Sequence, residues 1–316
     1  MKLLRGLVLT LIAAALTFGV SPSARAADAP LATINLINLP ADNSAEVYYA
    51  QELGYFKDVG LDVHITPMTN SGAIIAAIAG GAGDIGNAVV GSVADARSKG
   101  IPIIFIAPAG LYDAKSPTAA LSVLKDSPIK KASDLTGKVV AVSGLNDLTY
   151  FATRAWIDKN GGNSAAVKYI ELPFPAMAAA VLQRRVDAAY IIEPFYTVNA
   201  SRLRILARAA ESVAPRYQAT GWIANESWLA SHADLALRFA SAIHRTALWA
   251  NSHQKESAAI LLKYLKIDPA IVDKMRRVTY AVTLDTRLVQ PPIDTAAKYT
   301  GQTPVSANSL IWAPGK

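Results

Sequence analysis

The chain has 316 residues, of which 52% are apolar, 17% charged and 8% aromatic, with 31 Lys and Arg against 24 Asp and Glu. This is a globular composition, and the length allows two compact lobes, each with a core that needs no disulfide or structural metal. Zero cysteine excludes thiol nucleophiles, iron–sulfur clusters, thiolate zinc sites, c-type haem attachment and a lipid-modified cysteine at a cleavage site.

The first segment, residues 1–26, reads as a secretory leader. Lys2 and Arg5 form a basic start, residues 6–20 an apolar run, and Ala24 and Ala26 an A-x-A cleavage pattern. The run falls short of the roughly 20 apolar residues that span a bilayer. A mature chain beginning near Ala27 is expected. It loses Lys2, Arg5 and Arg25 but no acid, so the net charge falls from +7 to +4. The remaining basic residues stand singly or in pairs such as Lys130-Lys131 and Arg276-Arg277, without the run that tracks a phosphate backbone, and no nucleic-acid partner is expected.

From Leu31 onward, β-rich runs alternate with helical patterns at the spacing of repeated βα units. Strands are predicted at 34–39, 61–66, 85–90 and 103–107, with helices at 44–53, 73–79 and 93–99. A second series places strands at 121–124, 139–143, 168–172, 188–192 and 205–207, with helices at 148–159, 176–184 and 195–200. Continuous apolar runs such as Ile103 to Ala107 read as buried parallel strands. Ser44 is a candidate cap for the first helix and Gly54 its left-handed stop; Asn146 is a candidate cap for the helix at 148, with Asp147 in its first turn. Pro108, Gly110 and Pro117 mark one crossing between lobes, and Pro215 with Gly221 a second. The predicted organisation is a leader at 1–26, a discontinuous first lobe at 27–113 and 212–316, and a second lobe at 114–211. After Trp228 the pattern is helical.

The stretch from Ala50 to Val63 (AQELGYFKDVGLDV) resembles the periplasmic substrate-binding proteins of nitrate, sulfonate and taurine type transporters. So do, in the same order, Gly83-Asp84-Ile85-Gly86, the run from Ser133 to Val142, and Val186 to Tyr190 leading into Glu193-Pro194. The resemblance implies an α/β, two-lobed periplasmic binding protein (type II) with its ligand cleft between the lobes. It further implies delivery of a small organic or inorganic solute, sulfonate-, nitrate- or taurine-like, to an inner-membrane ABC permease driven by its ATPase, with no cofactor, no metal and no enzymatic activity. A free, monomeric periplasmic protein is expected; a nitrogenous ring ligand, or a role in presenting ligand to a sensor, is the alternative. An enzyme of the same fold, a pyrimidine-precursor synthase, carries a cysteine-rich motif that this chain lacks.

Ligands of such folds sit beyond the carboxyl ends of the strands. That criterion selects the loops at 40–44, 70–72, 87–92, 143–149, 173–175 and 193–196. The candidate ligand-binding residues in them are Asp42, Asn43, Ser44, Asn70, Ser71, Gly72, Asn87, Ser92, Ser143, Asn146, Asp147, Thr149, Phe174, Glu193, Phe195 and Tyr196. Ser44, Asn70 and Asn146 also suit plain helix capping. Tyr48 and Tyr112 join Phe174, Phe195 and Tyr196 as candidate stacking rings, with core packing as the other use of Tyr48 and Phe195. These loops contain no Lys or Arg but do contain Asp42, Asp147 and Glu193. Inward-facing acids would oppose an anionic ligand, whereas acids that only stabilise helix starts would permit one. The match of residues 81–86 to G-x-G-x-x-G lies in the wrong context, a helix before it and a strand after, so no dinucleotide is expected.

Overall fold

The structure is a computed structural model that describes residues 30–265, 267–301 and 303–314. The predicted leader and its cleavage site lie outside the described residues. The described residues from Leu31 onward form one compact unit.

The first half of the chain alternates strand and helix as its apolar runs dictate. Strand β1 (Ala32–Asn38) is followed by helices α1 (Glu46–Glu52) and α2 (Tyr55–Asp58), then by β2 (Leu61–Pro67), α3 (Ser71–Ala79), β3 (Ile85–Val89), α4 (Val90–Ser98) and β4 (Ile103–Pro108). Strand β5 (Gly110–Asp113) leads into a second series. This comprises β6 (Ala119–Leu124), β7 (Val139–Val142), α5 (Leu148–Lys159), β8 (Lys168–Glu171), α6 (Phe174–Leu182), β9 (Ala188–Ile192), α7 (Phe195–Asn199) and β10 (Leu203–Ala207). The chain returns through β11 (Arg216–Gln218) to β12 (Thr220–Asn225). It ends in a helical third: α8 (Glu226–Ser252), α9 (Gln254–Leu265), α10 (Pro269–Val272), the short β13 (Thr279–Tyr280) and α11 (Thr286–Thr300).

Two five-stranded sheets result, in the orders β2-β1-β3-β12-β4 and β10-β6-β9-β7-β8. The expectation of parallel strands holds for β1, β2 and β3 and for β7, β8 and β9, but not for β4, whose only ladder is antiparallel to β12. The returning strand inserts between β3 and β4 and runs against both, just as β6 runs against β9 and β10. All six residues of β4 are buried. That is why its composition reads like a parallel strand: being covered on both faces, not strand direction, removes the polar alternation.

Helices cover both faces of each sheet. On one face of the first sheet, Tyr49, Phe56, Trp222 and Phe239 form a core with α1, α2, α8 and α9. On the other, Ile74, Ile78, Val93, Phe105 and Ile293 pack α3, α4 and α11 against it. Leu121, Val140, Ile157 and Tyr190 centre the second sheet on its α5 side, with Met177, Val181 and Ile191 on its α6 side. The two connections between the sheets, β5 and β11, pair with each other antiparallel and with β13 form a third, small sheet.

Two caps differ from expectation. Helix α1 starts beyond Ser44, whose hydroxyl donates backwards to the carbonyl oxygens of Leu39 and Ala41; no side chain caps this helix. Helix α5 is capped by Asp147, not Asn146: the carboxylate accepts from the N–H groups of Thr149 (2.9 Å) and Tyr150 (3.4 Å). Gly54 does stop α1 at a left-handed φ of 75°.

Candidate functional site: a cleft between the two sheets

The carboxyl ends of β1, β2, β3 and β7 and the crossing strands β5 and β11 converge on one cleft. It encloses about 690 Å³ of space not filled by protein atoms, its open mouth included.

From the first sheet, Asn70 caps α3 by accepting from the Ala73 N–H at 2.9 Å, and the Ser71 hydroxyl accepts from the Val89 N–H at 3.1 Å. These bonds tie the starts of α3 and α4 together. Thr220 Oγ1 accepts from the Gly110 N–H and donates to the Asn43 carbonyl, both at 3.0 Å, fixing the loop after β1 to the crossing strand. From the second sheet, Asp147 organises the turn after β7. Its carboxylate accepts the Thr149 hydroxyl at 2.6 Å and, by a short bond, the Ser143 hydroxyl; Thr149 Oγ1 in turn accepts the Ser143 N–H at 2.9 Å. The two sides meet where the Ser92 hydroxyl donates to the Asn146 carbonyl at 2.8 Å.

The cleft is lined by Asn43, Asn70, Ser71, Asn87, Ser143, Asp147, Thr149 and Phe174 from the predicted set. Gly72, Ser92 and Asn146 line an adjoining wider groove of about 1020 Å³ that shares Asn70 and Asp147 with the cleft. Two expectations are corrected, and for two of the candidate rings the core-packing use is the one found. Asp42 is turned away into a buried ion pair with Arg277. Ser44 is wholly buried by its back-bonds. Phe195 packs on the α6 side of the second core. Tyr48 stacks on Tyr264 with ring centroids 4.3 Å apart instead of facing the cleft. Glu193 and Tyr196 line a small cavity with Arg208 and Arg276 that adjoins the cleft through Thr118 and Ala119. There the Glu193 carboxylate accepts the Thr197 hydroxyl at 2.8 Å and N–H at 3.1 Å, and burial raises its pKa against those bonds.

Thr118, Tyr190, Tyr217, Thr220 and Val278 also line the cleft, and a search confined to loops after strands misses them because they lie within or beside strands. Tyr112 and Tyr217 face each other in the β5–β11 register, and their rings stack at 5.1 Å and 26°. Tyr112, expected as a stacking ring, does line the cleft; the signal that points to Tyr217 is a second tyrosine in the other crossing segment, where Pro and Gly already mark a break between lobes.

Among the described residues no Lys or Arg lines the cleft, and Asp147 is its one charged lining side chain; Arg208 and Arg276 line the adjoining small cavity. Burial raises the Asp147 pKa, opposed by its bonds from Ser143, Thr149 and Tyr150. Burial also pushes the Tyr112 phenol up to about 12 and raises Tyr190 and Tyr217, so all three hydroxyls remain neutral donors. Among the described residues, no group of three or more His, Cys, Asp and Glu could hold a metal ion.

Two sheets flanked by helices, joined by paired crossing strands beside a cleft, define the two-lobed fold of periplasmic binding proteins. Residues 41–257 match the family model described as NMT1/THI5 like, and the chain belongs to that family. It is 24% identical over 220 residues to a formylaminopyrimidine-binding protein of Halalkalibacterium halodurans, a match that covers 68% of this chain and 65% of the relative, less than two thirds of the latter's length. The alkanesulfonate-binding protein SsuA of Xanthomonas axonopodis pv. citri, bound to MOPS, superposes with a TM-score of 0.75 at 14% identity, over 90% of this chain and 99% of that one. The desulfurization enzyme DSZB gives a TM-score of 0.64 at 16% identity, over 90% and 97% of the two chains. The resemblance read between Ala50 and Pro194 is thus borne out at the level of family and fold.

Proposed function

We propose that this chain is the periplasmic solute-binding component of an ABC importer, and that its solute is a small ring compound bearing N–H groups. The observation that carries the ligand class is the cleft lining: hydroxyls, amides and aromatic rings, with Asp147 as the only charge among the described residues. A carboxylate about 6 Å from a bound anion costs roughly 3 kcal/mol at an effective dielectric near 20, whereas one helix N-terminus returns about 0.3 to 2 kcal/mol. An anion therefore gains less here than it loses, and an N–H donor gains a charge-assisted partner. The printed name of the formylaminopyrimidine-binding relative supports a nitrogenous ring; a sulfonate or nitrate ligand is the competing outcome.

In this reading residues 1–26 are a cleaved leader, residues 27–113 with 212–316 form one lobe and residues 114–211 the other. The lobes close about β5 and β11, and a membrane permease with its ATPase is the partner. Among the described residues the cleft lining contains no His, Lys or Cys, and its Ser143 and Asp147 are engaged in the turn after β7, which supports binding over catalysis even though the fold also serves an enzyme.

A thermal-shift panel on the chain starting at Ala27, with 4-aminopyrimidine, cytosine, taurine, methanesulfonate and nitrate, tests the reading. A ligand at about 1,000 times its Kd adds about 4 kcal/mol, several degrees in Tm for a chain of this size. A shift with anions alone overturns the ligand class. No shift with any member, together with turnover of one, overturns the binding role.

A further inference from the structure

The polar groups around the cleft divide into two kinds. Asn70, Ser71, Thr220, Ser143, Asp147 and Thr149 are all engaged in the caps and ties that shape the loops. The Tyr112 hydroxyl, the Tyr217 hydroxyl and the Asn87 Nδ2–H2 group are different: each is buried and meets no hydrogen-bond partner among the described residues. Their residues are only 4%, 0% and 3% exposed, yet all three line the cleft.

These three groups are held by strands, not by loops. Tyr112 and Tyr217 oppose each other across β5 and β11, and Asn87 opposes Trp222 across β3 and β12. Backbone ladders therefore fix their positions without help from side-chain bonds. A buried polar group left unpaired is costly, and folded proteins keep few of them. With the Asn43 Oδ1, which also lines the cleft unpaired, these make four on the walls of one cleft and call for partners supplied from outside the chain.

Resting on the ring-solute reading above, we infer that Tyr112, Tyr217 and Asn87 determine specificity by donating hydrogen bonds to acceptor atoms on the edge of the bound ring. The solute class this selects is a flat, uncharged heterocycle with ring-nitrogen or carbonyl acceptors on one edge and an N–H group that Asp147 or the unpartnered Asn43 Oδ1 accepts. A ring of the same outline without acceptors leaves the three donors unpaired and is rejected, because a site built to hydrogen-bond discriminates steeply against an analogue that cannot answer it.

The experiment uses Tyr112→Phe and Tyr217→Phe, which keep the rings and their stacking and delete only the hydroxyls. The probes are 4-aminopyrimidine and aniline, equal in outline but differing in ring nitrogens, with methanesulfonate as a third arm, all read by calorimetry on the chain from Ala27. The wild type is expected to prefer 4-aminopyrimidine to aniline by at least about tenfold, and each Phe variant to lose about tenfold in 4-aminopyrimidine affinity with little change for aniline. The Tm without ligand is expected to hold or rise in both variants, since each removes an unpaired group. No binding of 4-aminopyrimidine, equal affinity for the two rings, or unchanged discrimination in both variants overturns the inference; the last result leaves the ring-solute reading intact. Binding of methanesulfonate alone overturns the ring-solute reading and the inference with it.

Discussion

Arg277 grips Asp42 across 235 residues of sequence, its Nε 3.1 Å from both carboxylate oxygens. The side chains are 11% and 3% exposed, and the arrangement is closed by the Arg277 Nη2 bond to the Tyr49 hydroxyl at 2.7 Å and the Val278 N–H bond to Asp42 at 2.8 Å. The pair fastens the segment before β13 to the loop after β1, directly behind the cleft. Removing one partner strands a buried charge, which typically costs 3 to 5 kcal/mol. Arg277→Met should therefore lower the urea-unfolding free energy by about that amount, and adding Asp42→Asn should recover part of it. Additive losses in the double variant would show that the two side chains are not coupled.

Asp147 carries a different prediction because its charge faces the cleft. Asn is as good a helix cap as Asp, so Asp147→Asn should leave α5 in place while removing the charge. Affinity for 4-aminopyrimidine should fall by about ten- to a hundredfold, the contribution of a hydrogen bond to a charged group, and methanesulfonate affinity should rise. Because burial raises the Asp147 pKa, wild-type affinity should start to fall on acidification at a higher pH than an ordinary carboxylate would give, and the Asn variant should lack that step. Calorimetry across pH reads both effects.

The alternation of β and α elements was legible because each element is specified locally: α5 occupies the predicted 148–159 and β9 the predicted 188–192. What could not be read was direction and distance. Nothing in the composition of Thr220–Asn225 says that it inserts antiparallel between β3 and β4, and no spacing rule links Asp42 to Arg277. The same limit applied to the site. Loop residues such as Asn70, Ser143 and Asp147 follow from the rule that ligands sit beyond strand ends, and the structure brings them together. Tyr217 lies within a strand and enters the cleft only because β11 pairs with β5, a contact between distant segments. Asp42 had the right position and the wrong direction, for its partner lies near the other end of the chain.

Glu46 is a buried acid outside the cleft. It is fully buried; its Oε2 accepts the Trp222 indole N–H at 3.1 Å and its Oε1 meets no partner among the described residues. Burial raises its pKa well above the usual range, only partly offset by Trp222. An acid whose folded-state pKa is raised contributes stability that is present below its unfolded pKa, near 4.3, and is lost as pH rises toward the folded value, by about 1.4 kcal/mol per unit across that window. Glu46→Gln keeps an acceptor for Trp222 and needs no proton. The variant should be more stable than the wild type at pH 7 to 8, with the advantage shrinking on acidification toward pH 4. A constant difference at every pH would rule out titration of Glu46 as its cause.

Gly110 links the crossing strand to the site through sterics alone. A Cβ placed there would stand 2.7 Å from the Asn43 carbonyl oxygen and 3.0 Å from the Asn43 Cβ, and the same carbonyl accepts the Thr220 hydroxyl while the Gly110 N–H donates to that hydroxyl. The backbone atoms in contact cannot rotate aside as a side-chain tip would, so Gly110→Ala must push the loop at residue 43 away from β5. Overpacking of this kind costs about 1 to 3 kcal/mol. Because Asn43 lines the cleft, the displacement should also weaken 4-aminopyrimidine binding, whereas alanine at Gly137, which has nothing within 4 Å of its Cβ but a φ of +73°, should cost stability alone. Measuring Tm and affinity for both variants separates displacement of the site from strain elsewhere: equal affinities in the two would show that the contact between Gly110 and Asn43 does not shape the cleft.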